Sequence, residues 1–339
     1  MSARSGRAAV IGAGSWGTAL AHLLAGTGVS VRLWCRSPEI AQQIHREHVN
    51  RVYLDGIDLD GVRAVTDFTE ALEGAETVVC AVPSHAAREV LGRARSAIPA
   101  GALLVNATKG LEVQSLSTMS QVILDLLPDA RPVTLSGPSF AREVAEGHPT
   151  AVVAASRDAE NAARAQTLFS TTRFRVYTND DLLGVEVAGA LKNVIALASG
   201  IVEGLGYGHN TRAALITRGL AEIARLGAAM GAQPRTFAGL AGMGDLILTC
   251  TGALSRNRRV GLQLAAGRSL DEILREMRMV AEGVNTTRAA LRLADRHDVE
   301  VPITHEVHAI LYEGKSPDRA VEDLMLRTLK SEHWGIRDA

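Results

Sequence analysis

The chain has 339 residues, 47% of them hydrophobic and 22% charged, so it is long enough to bury a large core and to form two domains. Its 36 basic and 37 acidic residues leave a net charge of -1, which argues against nucleic acid or a membrane surface as a partner. The cysteines, Cys35, Cys80 and Cys250, are far apart and form no CxxC pair. They indicate reduced thiols, and since the N-terminus lacks an apolar secretion signal we expect a cytoplasmic protein.

Short β-branched runs alternate with helical patterns in the first half of the chain, which is typical of an open, largely parallel sheet covered by helices. The predicted strands span residues 8–11, 30–34, 62–65, 77–82, 102–106, 132–135, 150–154 and 173–177. Predicted helices between them include residues 16–26, 38–48, 85–97 and 115–127.

Strand patterns almost disappear after about residue 179, and long helical patterns replace them. These helices are predicted at residues 182–204, 211–230, 255–266, 270–277, 285–296 and 303–313. We therefore predict an α/β dinucleotide-binding domain at 1–178 and an all-α domain at 179–339. The stretch 182–205 is long enough to span a membrane, but Glu186, Lys192 and Glu203 interrupt it, so we expect a buried helix and no membrane insertion.

A glycine motif, Gly12-Ala13-Gly14-Ser15-Trp16-Gly17, directly follows the first predicted strand and opens a helix. In this context GxGxxG predicts a dinucleotide site rather than a ligand-free turn. Gly12 permits the tight turn, Gly14 lets the backbone approach the pyrophosphate, and Gly17 lets helix and strand pack closely. The helix N-terminus offers N–H groups and partial positive charge to the phosphates.

The end of the second strand bears on the choice of cofactor. An acidic residue for the ribose hydroxyl is expected about 20 residues after the motif, but the sequence there is Trp34-Cys35-Arg36-Ser37. Arg36 can face a 2′-phosphate or stack on adenine. We therefore expect NADP(H) to be accepted, and the missing carboxylate does not exclude NAD(H).

Lys192 lies in a run that otherwise resembles a buried helix. A helical projection places Glu186, Lys192 and Asn193 on one small, polar face, while Leu191 and Ile195 lie on the apolar side. Burying an ammonium costs several kcal/mol unless it is paired. The face is therefore a candidate site wall, although a core helix whose lysine snorkels to the surface fits the same pattern.

Other polar segments also have the character of binding sites. Lys109 follows the end of a strand, where open α/β sheets bind ligands, although it fits an ordinary surface lysine too. Ser139 follows a glycine turn near a predicted helix start, where it would bind a ligand or only cap the helix. Residues 239–245 form a predicted glycine-dense loop that ends in Asp245. Residues 255–259 (SRNRR) have the donors for a phosphate site, although a solvated basic helix start fits the same residues.

The histidines do not predict a metal site. His45 and His48 are three residues apart on one predicted helix, as are His305 and His308 on another. Because no third ligand accompanies either pair, we expect surface or hydrogen-bonded histidines and no metal.

Several segments, in chain order, resemble those of the bacterial NAD(P)-dependent glycerol-3-phosphate dehydrogenases. The matching stretches are GAGSWGTAL, AVPSH, NATKGLE, LSGPSFAREVAEGHPTA, GALKNVIALASGIVEGLGYGHNTRAALITRGL, TFAGLAGMGDLILTCTG, LSRNRRVG and VAEGVNTT. They extend over almost the whole chain, and LSGPSFA, GALKN and GLAGMGDL are far more specific than the glycine motif. The resemblance implies a Rossmann-type N-terminal domain, a helical C-terminal domain and usually a homodimer. It also implies reversible interconversion of dihydroxyacetone phosphate and sn-glycerol 3-phosphate for phospholipid synthesis.

The resemblance further implies roles for single residues. Lys192, the lysine of GALKN, is the implied proton donor and acceptor. With the motif glycines Gly12, Gly14 and Gly17, the implied cofactor contacts are Ser15, Trp16, Arg36, Lys109, Ala141, Arg256, Val280 and Glu282. The implied substrate contacts are Lys109, Gly137, Ser139, Lys192, Asp245, Ser255, Arg256 and Asn257, with Asn193 and Thr249 as second-rank candidates. The chain departs from many relatives, which have a proline, at Asp55-Gly56, so the role of the loop 53–56 stays open.

We expect Lys192, as an ammonium, to donate a proton to the C2 oxygen during ketone reduction. An unperturbed lysine has a pKa of about 10.4, too high for a base at neutral pH. Desolvation would lower this pKa and Asp245 would raise it, and the sequence leaves the balance open. Arg256 and Asn257 are expected to hold the substrate phosphate.

Two other functions fit less well. A ketopantoate or β-hydroxyacid dehydrogenase shares the two-domain plan but lacks the SRN phosphate-binding segment. A non-catalytic NADPH-binding sensor would be expected to lose Lys192 or Asp245, and both are present.

Overall fold

The computed structural model describes residues 6–277 and 279–332; residues 1–5, part of the segment considered for a secretion signal, lie outside this description. Its strands are β1 (Arg7–Ile11), β2 (Ser30–Trp34), β3 (Val62–Val65), β4 (Thr77–Cys80), β5 (Leu103–Asn106), β6 (Val133–Ser136), β7 (Thr150–Ala155) and β8 (Phe174–Asn179). All eight predicted strands are confirmed, with ends shifted by at most two residues.

The strands form one sheet in the order β3-β2-β1-β4-β5-β6-β7-β8. All neighbouring pairs are parallel except β6 and β7, which are antiparallel. The sheet is therefore open and largely parallel, as predicted. Its strand order reverses direction between β1 and β4, and the crevice beyond the carboxyl ends of the strands at such a point is where these sheets bind ligands.

The central strands β1, β4, β5 and β6 are buried on both faces, which explains their continuous apolar runs, whereas the edge strand β8 exposes alternate residues. Successive side chains of a strand point to opposite faces. On β1, Ala8 and Val10 belong to one core cluster, while Ala9 and Ile11 belong to another, and all four are fully buried.

The helices around the sheet are α1 (Ser15–Ala25), α2 (Pro38–Glu47), α3 (Arg51–Leu54), α4 (Phe68–Leu72), α5 (Ser84–Ala94), α6 (Met119–Leu126), α7 (Ala141–Ala145) and α8 (Ala159–Phe169). The prediction for α6 began too early because Thr118 caps this helix, with Gln121 completing a capping box. Helices α3 and α4 were not predicted, since four or five residues are too few to establish a helical period. Helix α8 was given no predicted bounds; it starts after Asp158, which accepts hydrogen bonds from two backbone N–H groups.

The remaining described chain is helical, with no strand after Asn179. Its helices are α9 (Leu182–Gly204), α10 (His209–Ala229), α11 (Pro234–Phe237), α12 (Asp245–Thr251), α13 (Arg256–Ala265), α14 (Leu270–Glu276), α15 (Glu282–Arg296), α16 (Pro302–Tyr312) and α17 (Pro317–Met325). Two compact units result: Met1–Lys109 with Ser117–Leu182, and Gly110–Leu116 with Leu183–Ala339. No local pattern in the sequence predicts that the short segment Gly110–Leu116 belongs to the helical unit.

Helix α9 forms the centre of the helical unit. By length and mean hydropathy (1.6) it is a candidate membrane span, but its most apolar 18-residue window is entirely buried inside the structure, as the sequence analysis expected. Two glycines let α13 cross it closely. A Cβ on Gly200 would lie 2.0 Å from the Arg258 oxygen, and one on Gly261 would lie 2.2 Å from the Leu197 oxygen.

A buried carboxylate links α10 to the start of α16. Glu222, 3% exposed, accepts hydrogen bonds from the backbone N–H groups of Ile303 (2.6 Å) and Thr304 (3.2 Å) and from the Thr304 hydroxyl. The first N–H groups of a helix have no partner within it, so Glu222 replaces a local cap. Burial raises the pKa of Glu222 to about 7, while these hydrogen bonds and Arg225 oppose the rise.

The structure also describes the thiols and possible metal ligands. Cys35, Cys80 and Cys250 are free and buried, and burial raises the pKa values of Cys35 and Cys250 to about 12. Within residues 6–277 and 279–332, no three His, Cys, Asp or Glu side chains are grouped as metal ligands.

Candidate active site

The glycine motif forms a tight turn between β1 and α1, and each glycine has a distinct environment. Gly12 has a φ of 114°, and a Cβ there would lie 2.9 Å from the Ala81 oxygen. A Cβ on Gly17 would lie 1.9 Å from the Gly12 oxygen, so larger residues are excluded. A Cβ on Gly14, by contrast, would meet nothing within 4 Å. The turn therefore has open space beside Gly14, which fits a ligand approaching the backbone there.

Two polar side chains of the motif lie on this turn. The Ser15 hydroxyl donates to the backbone oxygen of Tyr53 at 2.7 Å. The Trp16 Nε1 atom is buried and has no hydrogen-bond partner within the described chain. A buried donor of this kind is costly unless it binds something else, so it fits a polar ligand at the turn.

Arg36 lies just beyond β2 and is exposed. The next acidic residue along the chain, Glu39, is in the first turn of α2, and a hydrogen bond from the Ser37 hydroxyl lowers the pKa of its carboxyl. Ser37 caps α2 by accepting from the Ile40 N–H at 3.3 Å. Glu39 and Ser37 therefore form the start of α2, and Arg36 lies directly before that helix.

Lys109, Gly137 and Ser139 come together at the carboxyl ends of β5 and β6. The Lys109 ammonium donates to the Gly137 oxygen at 2.7 Å and to the Ser139 hydroxyl at 3.3 Å. Gly137 has a φ of 133°, and a Cβ there would lie 2.9 Å from the Val152 Cα on β7. Lys109 therefore forms a hydrogen-bonded cluster with Gly137 and Ser139, the Lys109 group, and is not an ordinary surface lysine.

Ser139 does not cap the helix that follows it. Helix α7 starts at Ala141, its N-cap is Phe140, and no side chain caps it. The Ser139 hydroxyl instead donates to the Gly137 oxygen at 2.9 Å. Of the two sequence interpretations, capping is wrong, and Ser139 forms part of the Lys109 group.

Lys192 is buried in the helical unit, 5% exposed, and is paired with Asp245, which is 1% exposed. Its ammonium lies 2.5 Å from Asp245 Oδ1 and 2.8 Å from the Thr249 hydroxyl. The Thr249 hydroxyl donates to the Asp245 backbone oxygen at 2.6 Å, so it accepts from the lysine. Lys192 therefore does not snorkel to the surface.

Asp245 is positioned by a helical turn, and the prediction of a loop at 239–245 is wrong. Leu240–Gly244 forms a π-helical turn in which the Gly244 N–H donates to the Gly239 oxygen at 3.1 Å. A Cβ on Gly242 would lie 2.1 Å from the Phe237 oxygen. The glycines allow this crowded turn rather than an open loop, and such turns are frequent at functional sites. Helix α12 then begins with Asp245 itself.

An asparagine pair connects α9, α13 and α15. Asn257 Nδ2 donates to Asn193 Oδ1 at 2.8 Å, and Asn257 Oδ1 accepts from the Gly283 N–H at 2.9 Å. Each of these three residues directly follows a predicted site residue: Lys192, Arg256 or Glu282. The pair therefore fixes the spacing of three site residues. Asn193 is a second-rank candidate by family resemblance, and the sequence does not predict its pairing with Asn257, which is 64 positions away.

The start of α13 is largely buried: Ser255 and Asn257 are buried, Arg256 and Arg258 are half-buried, and only Arg259 is exposed. Ser255, 2% exposed, is the N-cap and accepts from the Arg258 N–H at 3.2 Å. Burial lowers the pKa of Arg256, which is the first residue of the helix, and the charge of Glu282 opposes this. The interpretation as a solvated basic helix start is therefore wrong.

Glu203 and Arg258 form an ion pair between α9 and α13 that sequence analysis did not assign to the site. Arg258 Nε donates to Glu203 Oε2 at 2.7 Å, and Arg212 Nη1 donates to the same oxygen at 2.9 Å. The hydrogen bond from Arg258 is the main cause of the lowered pKa of Glu203. This pair stabilises the helix that starts with Arg256.

The predicted residues thus form groups within each unit. The first unit contains the motif glycines with Ser15 and Trp16, the exposed Arg36, the Lys109 group, and Ala141 as the first residue of α7. The second contains Lys192, Asp245 and Thr249, and the Asn193–Asn257 pair beside Ser255 and Arg256. Glu282 begins α15 after Val280, which is partly buried.

The fold and these groups define a two-domain nicotinamide-nucleotide dehydrogenase: a Rossmann-type unit with an intact glycine turn, and a helical unit with a buried lysine–aspartate pair. Residues 7–162 match the family model of the NAD-dependent glycerol-3-phosphate dehydrogenase N-terminus, and residues 181–322 match that of its C-terminus.

Individual relatives support the same family. The glycerol-3-phosphate dehydrogenase [NAD(P)+] of Geobacter sulfurreducens is 56% identical over 97% of this chain and 100% of its own length. That of Geobacter metallireducens is 57% identical over 95% and 98%. The crystal structure of glycerol-3-phosphate dehydrogenase from Coxiella burnetii superposes with a TM-score of 0.92 at 41% identity, covering 95% of this chain and 99% of that one. The chain belongs to the NAD-dependent glycerol-3-phosphate dehydrogenase family, as its motifs predicted.

Proposed function

We propose that this protein interconverts dihydroxyacetone phosphate and sn-glycerol 3-phosphate with NADP(H) or NAD(H). The observation that carries the proposal is the buried Lys192 ammonium, held between Asp245 and Thr249 in a chain of this family. Family membership supports this reaction over the ketopantoate or β-hydroxyacid alternative. The intact Lys192–Asp245 pair argues against a non-catalytic sensor.

Lys192 is the proposed proton donor in the reducing direction and proton acceptor in the reverse direction. One N–H of its ammonium donates to the C2 oxygen of the substrate, while Asp245 and Thr249 fix the direction of the amine. When bound, the nicotinamide supplies or accepts the hydride at C2. Asp245 also compensates the charge of the ammonium, which would otherwise be costly at this depth.

Substrate binding is proposed for further residues of each unit. Arg256 offers a planar fork that suits the substrate phosphate. In the first unit, Lys109 is the proposed cation for substrate and cofactor, with Gly137 and Ser139 beside it. Asn257 uses its carboxamide within the protein, so we propose that it positions Arg256 as well as contacting substrate.

Cofactor binding is proposed at the glycine turn. The open space beside Gly14 and the buried Trp16 Nε1 fit a dinucleotide there. Arg36 is proposed to favour a 2′-phosphate, so that NADPH is a good cofactor. Ala141, Val280 and Glu282 complete the proposed contacts.

The test is a spectrophotometric assay that follows NADPH and NADH oxidation with dihydroxyacetone phosphate. Ketopantoate serves as the control substrate. We expect oxidation with dihydroxyacetone phosphate and none with ketopantoate. The reverse preference would refute the proposed substrate, and no oxidation of either cofactor with any substrate would refute the enzyme assignment.

We also propose the setting of this reaction. The product sn-glycerol 3-phosphate would feed glycerophospholipid synthesis. We expect a cytoplasmic homodimer that neither inserts into a membrane nor binds nucleic acid. Cell fractionation, and light scattering of the purified protein, test these points.

A further inference from the structure

The segment Asn50–Asp55, which includes α3, is bonded to the glycine turn through a buried asparagine. Asn50 is 0% exposed, although it lies between two exposed stretches of chain. Its Nδ2 group donates to the Ala13 backbone oxygen and to the Thr18 hydroxyl, both at 2.9 Å. Its Oδ1 accepts from the Tyr53 N–H at 3.3 Å. Both N–H donors and the oxygen of this carboxamide are therefore engaged.

Two further bonds hold the same segment in place. The Ser15 hydroxyl donates to the Tyr53 oxygen at 2.7 Å, and Arg142 Nη1 donates to the Asp55 oxygen at 2.6 Å. Arg142 lies on α7, directly after Ala141. The segment is thus fixed to both α1 and α7.

The bond from Asn50 to Ala13 determines the orientation of one peptide group in the turn. In a trans peptide the C=O and the following N–H point in opposite directions. Because Asn50 holds the Ala13 oxygen toward the protein interior, the Gly14 N–H is directed away from Asn50. The space beside Gly14 is open. If this peptide turned over, a carbonyl oxygen would replace an N–H on the ligand side, and an oxygen repels phosphate.

We propose that Asn50 is a positioning residue for dinucleotide binding. It keeps the Ala13–Gly14 peptide in the orientation that offers an N–H to the pyrophosphate, and it acts without touching the ligand. This inference rests on the proposed function in one respect, namely that a dinucleotide binds at the glycine turn. It also gives the loop around Tyr53, whose role the sequence left open, a function in bracing that turn.

The test is Asn50→Leu, which preserves the size of the side chain and adds no charge. Its matched control is Asn161→Leu in the same unit, where the carboxamide donates to the Arg131 oxygen at 3.1 Å. NADPH binding is measured by fluorescence titration, and kcat and KM by the oxidation assay. We expect the Kd and KM for NADPH to rise about tenfold in Asn50→Leu, with kcat at saturating NADPH within about twofold of wild type. The control should keep the wild-type Kd.

Thr18→Val is a milder second variant, which removes the hydroxyl that accepts from Asn50 while keeping the shape. We expect it to weaken NADPH binding about threefold. A wild-type Kd in folded Asn50→Leu overturns the inference, and so does a wild-type Kd in Thr18→Val if Asn50→Leu does not fold. An equal loss in the Asn161→Leu control also overturns it. If the wild-type protein itself binds neither NADPH nor NADH, the proposed function fails instead.

Discussion

The sequence around Lys192 predicted two properties of this residue, its burial and its pairing. The apolar run around it predicted burial, and the polar face predicted a partner. The structure confirms both, with Asp245 Oδ1 at 2.5 Å. The partner could be named from the family resemblance but not from spacing, because the two residues are 53 positions apart. Thr249 is a second-rank candidate by the same resemblance, and its contact with Lys192 also joins residues distant in sequence.

Replacing Lys192 with alanine removes the proposed proton donor and leaves Asp245 without its counter-charge. We expect turnover to fall by roughly 10²–10⁴, the usual size of general acid–base catalysis, while the Kd for NADPH stays close to wild type. Steady-state assays and NADPH titration measure the two effects. Lys315→Ala is the control, since Lys315 forms ion pairs with Glu306 and Asp323 in the same unit. Near-normal turnover in Lys192→Ala would exclude the role.

Arg36 bears on cofactor choice through its charge. In Arg36→Ala we expect the KM for NADPH to rise more than the KM for NADH, because only NADPH carries a 2′-phosphate. A preferential loss of about tenfold or more is expected for a charge-assisted contact. Parallel assays with the two cofactors measure it, and equal losses would remove the argument for a 2′-phosphate contact.

At the scale of elements, prediction and structure agree for all eight strands and for the longest helix, and they differ for the shortest helices and for one tight turn. Helix α9 was predicted with the bounds observed, since 23 residues give a clear apolar period. The density of glycines at 239–244 predicts a loop, whereas the structure has the π-helical turn Leu240–Gly244 there. At Gly242 the backbone of Phe237 leaves no room for a Cβ, so this glycine is needed for a tight helical turn and not for flexibility.

The crossing of α9 and α13 should be sensitive to a single methyl group. In Gly261→Ala the new Cβ would lie 2.2 Å from the Leu197 oxygen, so the helices must separate. We expect a loss of about 1–3 kcal/mol in the free energy of unfolding. We also expect a raised KM for dihydroxyacetone phosphate, because α13 begins with Arg256. Urea unfolding and substrate titration measure these effects.

The control for that variant is Gly208→Ala. Gly208 has a φ of -76°, and a Cβ there would meet nothing within 4 Å. Its free energy of unfolding should fall by less than about 1 kcal/mol, because alanine is a poorer N-cap than glycine but also lowers the conformational entropy of the unfolded chain. Similar losses in the two variants would show that the close crossing is not the cause.

For the whole molecule, the sequence predicted the fold class, all eight strands and the helical second half. These features could be predicted because a strand buried on both faces appears as a run of apolar residues. A helix with one buried face appears as a repeat of apolar residues every three or four positions. The contacts that arrange the site depend on residues distant in sequence. The Asn50 bonds to the glycine turn and the Glu203–Arg258 pair are examples, and no local pattern signals either.

Global stability should depend on pH through Glu222. Its pKa is about 7 in the folded protein and near 4.5 when unfolded, so the folded state retains a proton that the unfolded state has lost between these values. The stabilising contribution is therefore complete below about pH 4.5 and is lost as the pH rises to about 7. Glu222→Gln lacks this dependence. Between pH 4.5 and pH 8, the free energy of unfolding of Glu222→Gln should rise by about 3 kcal/mol relative to that of the wild type.

Urea unfolding at several pH values measures this difference. Glu300→Gln is the control, because a hydrogen bond from Lys330 lowers the pKa of Glu300 and its proton is lost well below this range. The control should show no relative gain between pH 5 and pH 8. A parallel pH dependence in wild type and Glu222→Gln would mean that Glu222 is ionised throughout.

The route of the chain has a consequence for protein engineering. Because Gly110–Leu116 belongs to the helical unit, the polypeptide passes from one unit to the other three times. A truncation after Leu182 would therefore retain Leu111 and Leu116, 1% and 5% exposed in the intact protein, without the apolar residues that cover them. A chimera with a relative therefore cannot be made at a single fusion point. To exchange the whole helical unit, it must replace the segment Gly110–Leu116 together with the residues after Leu182.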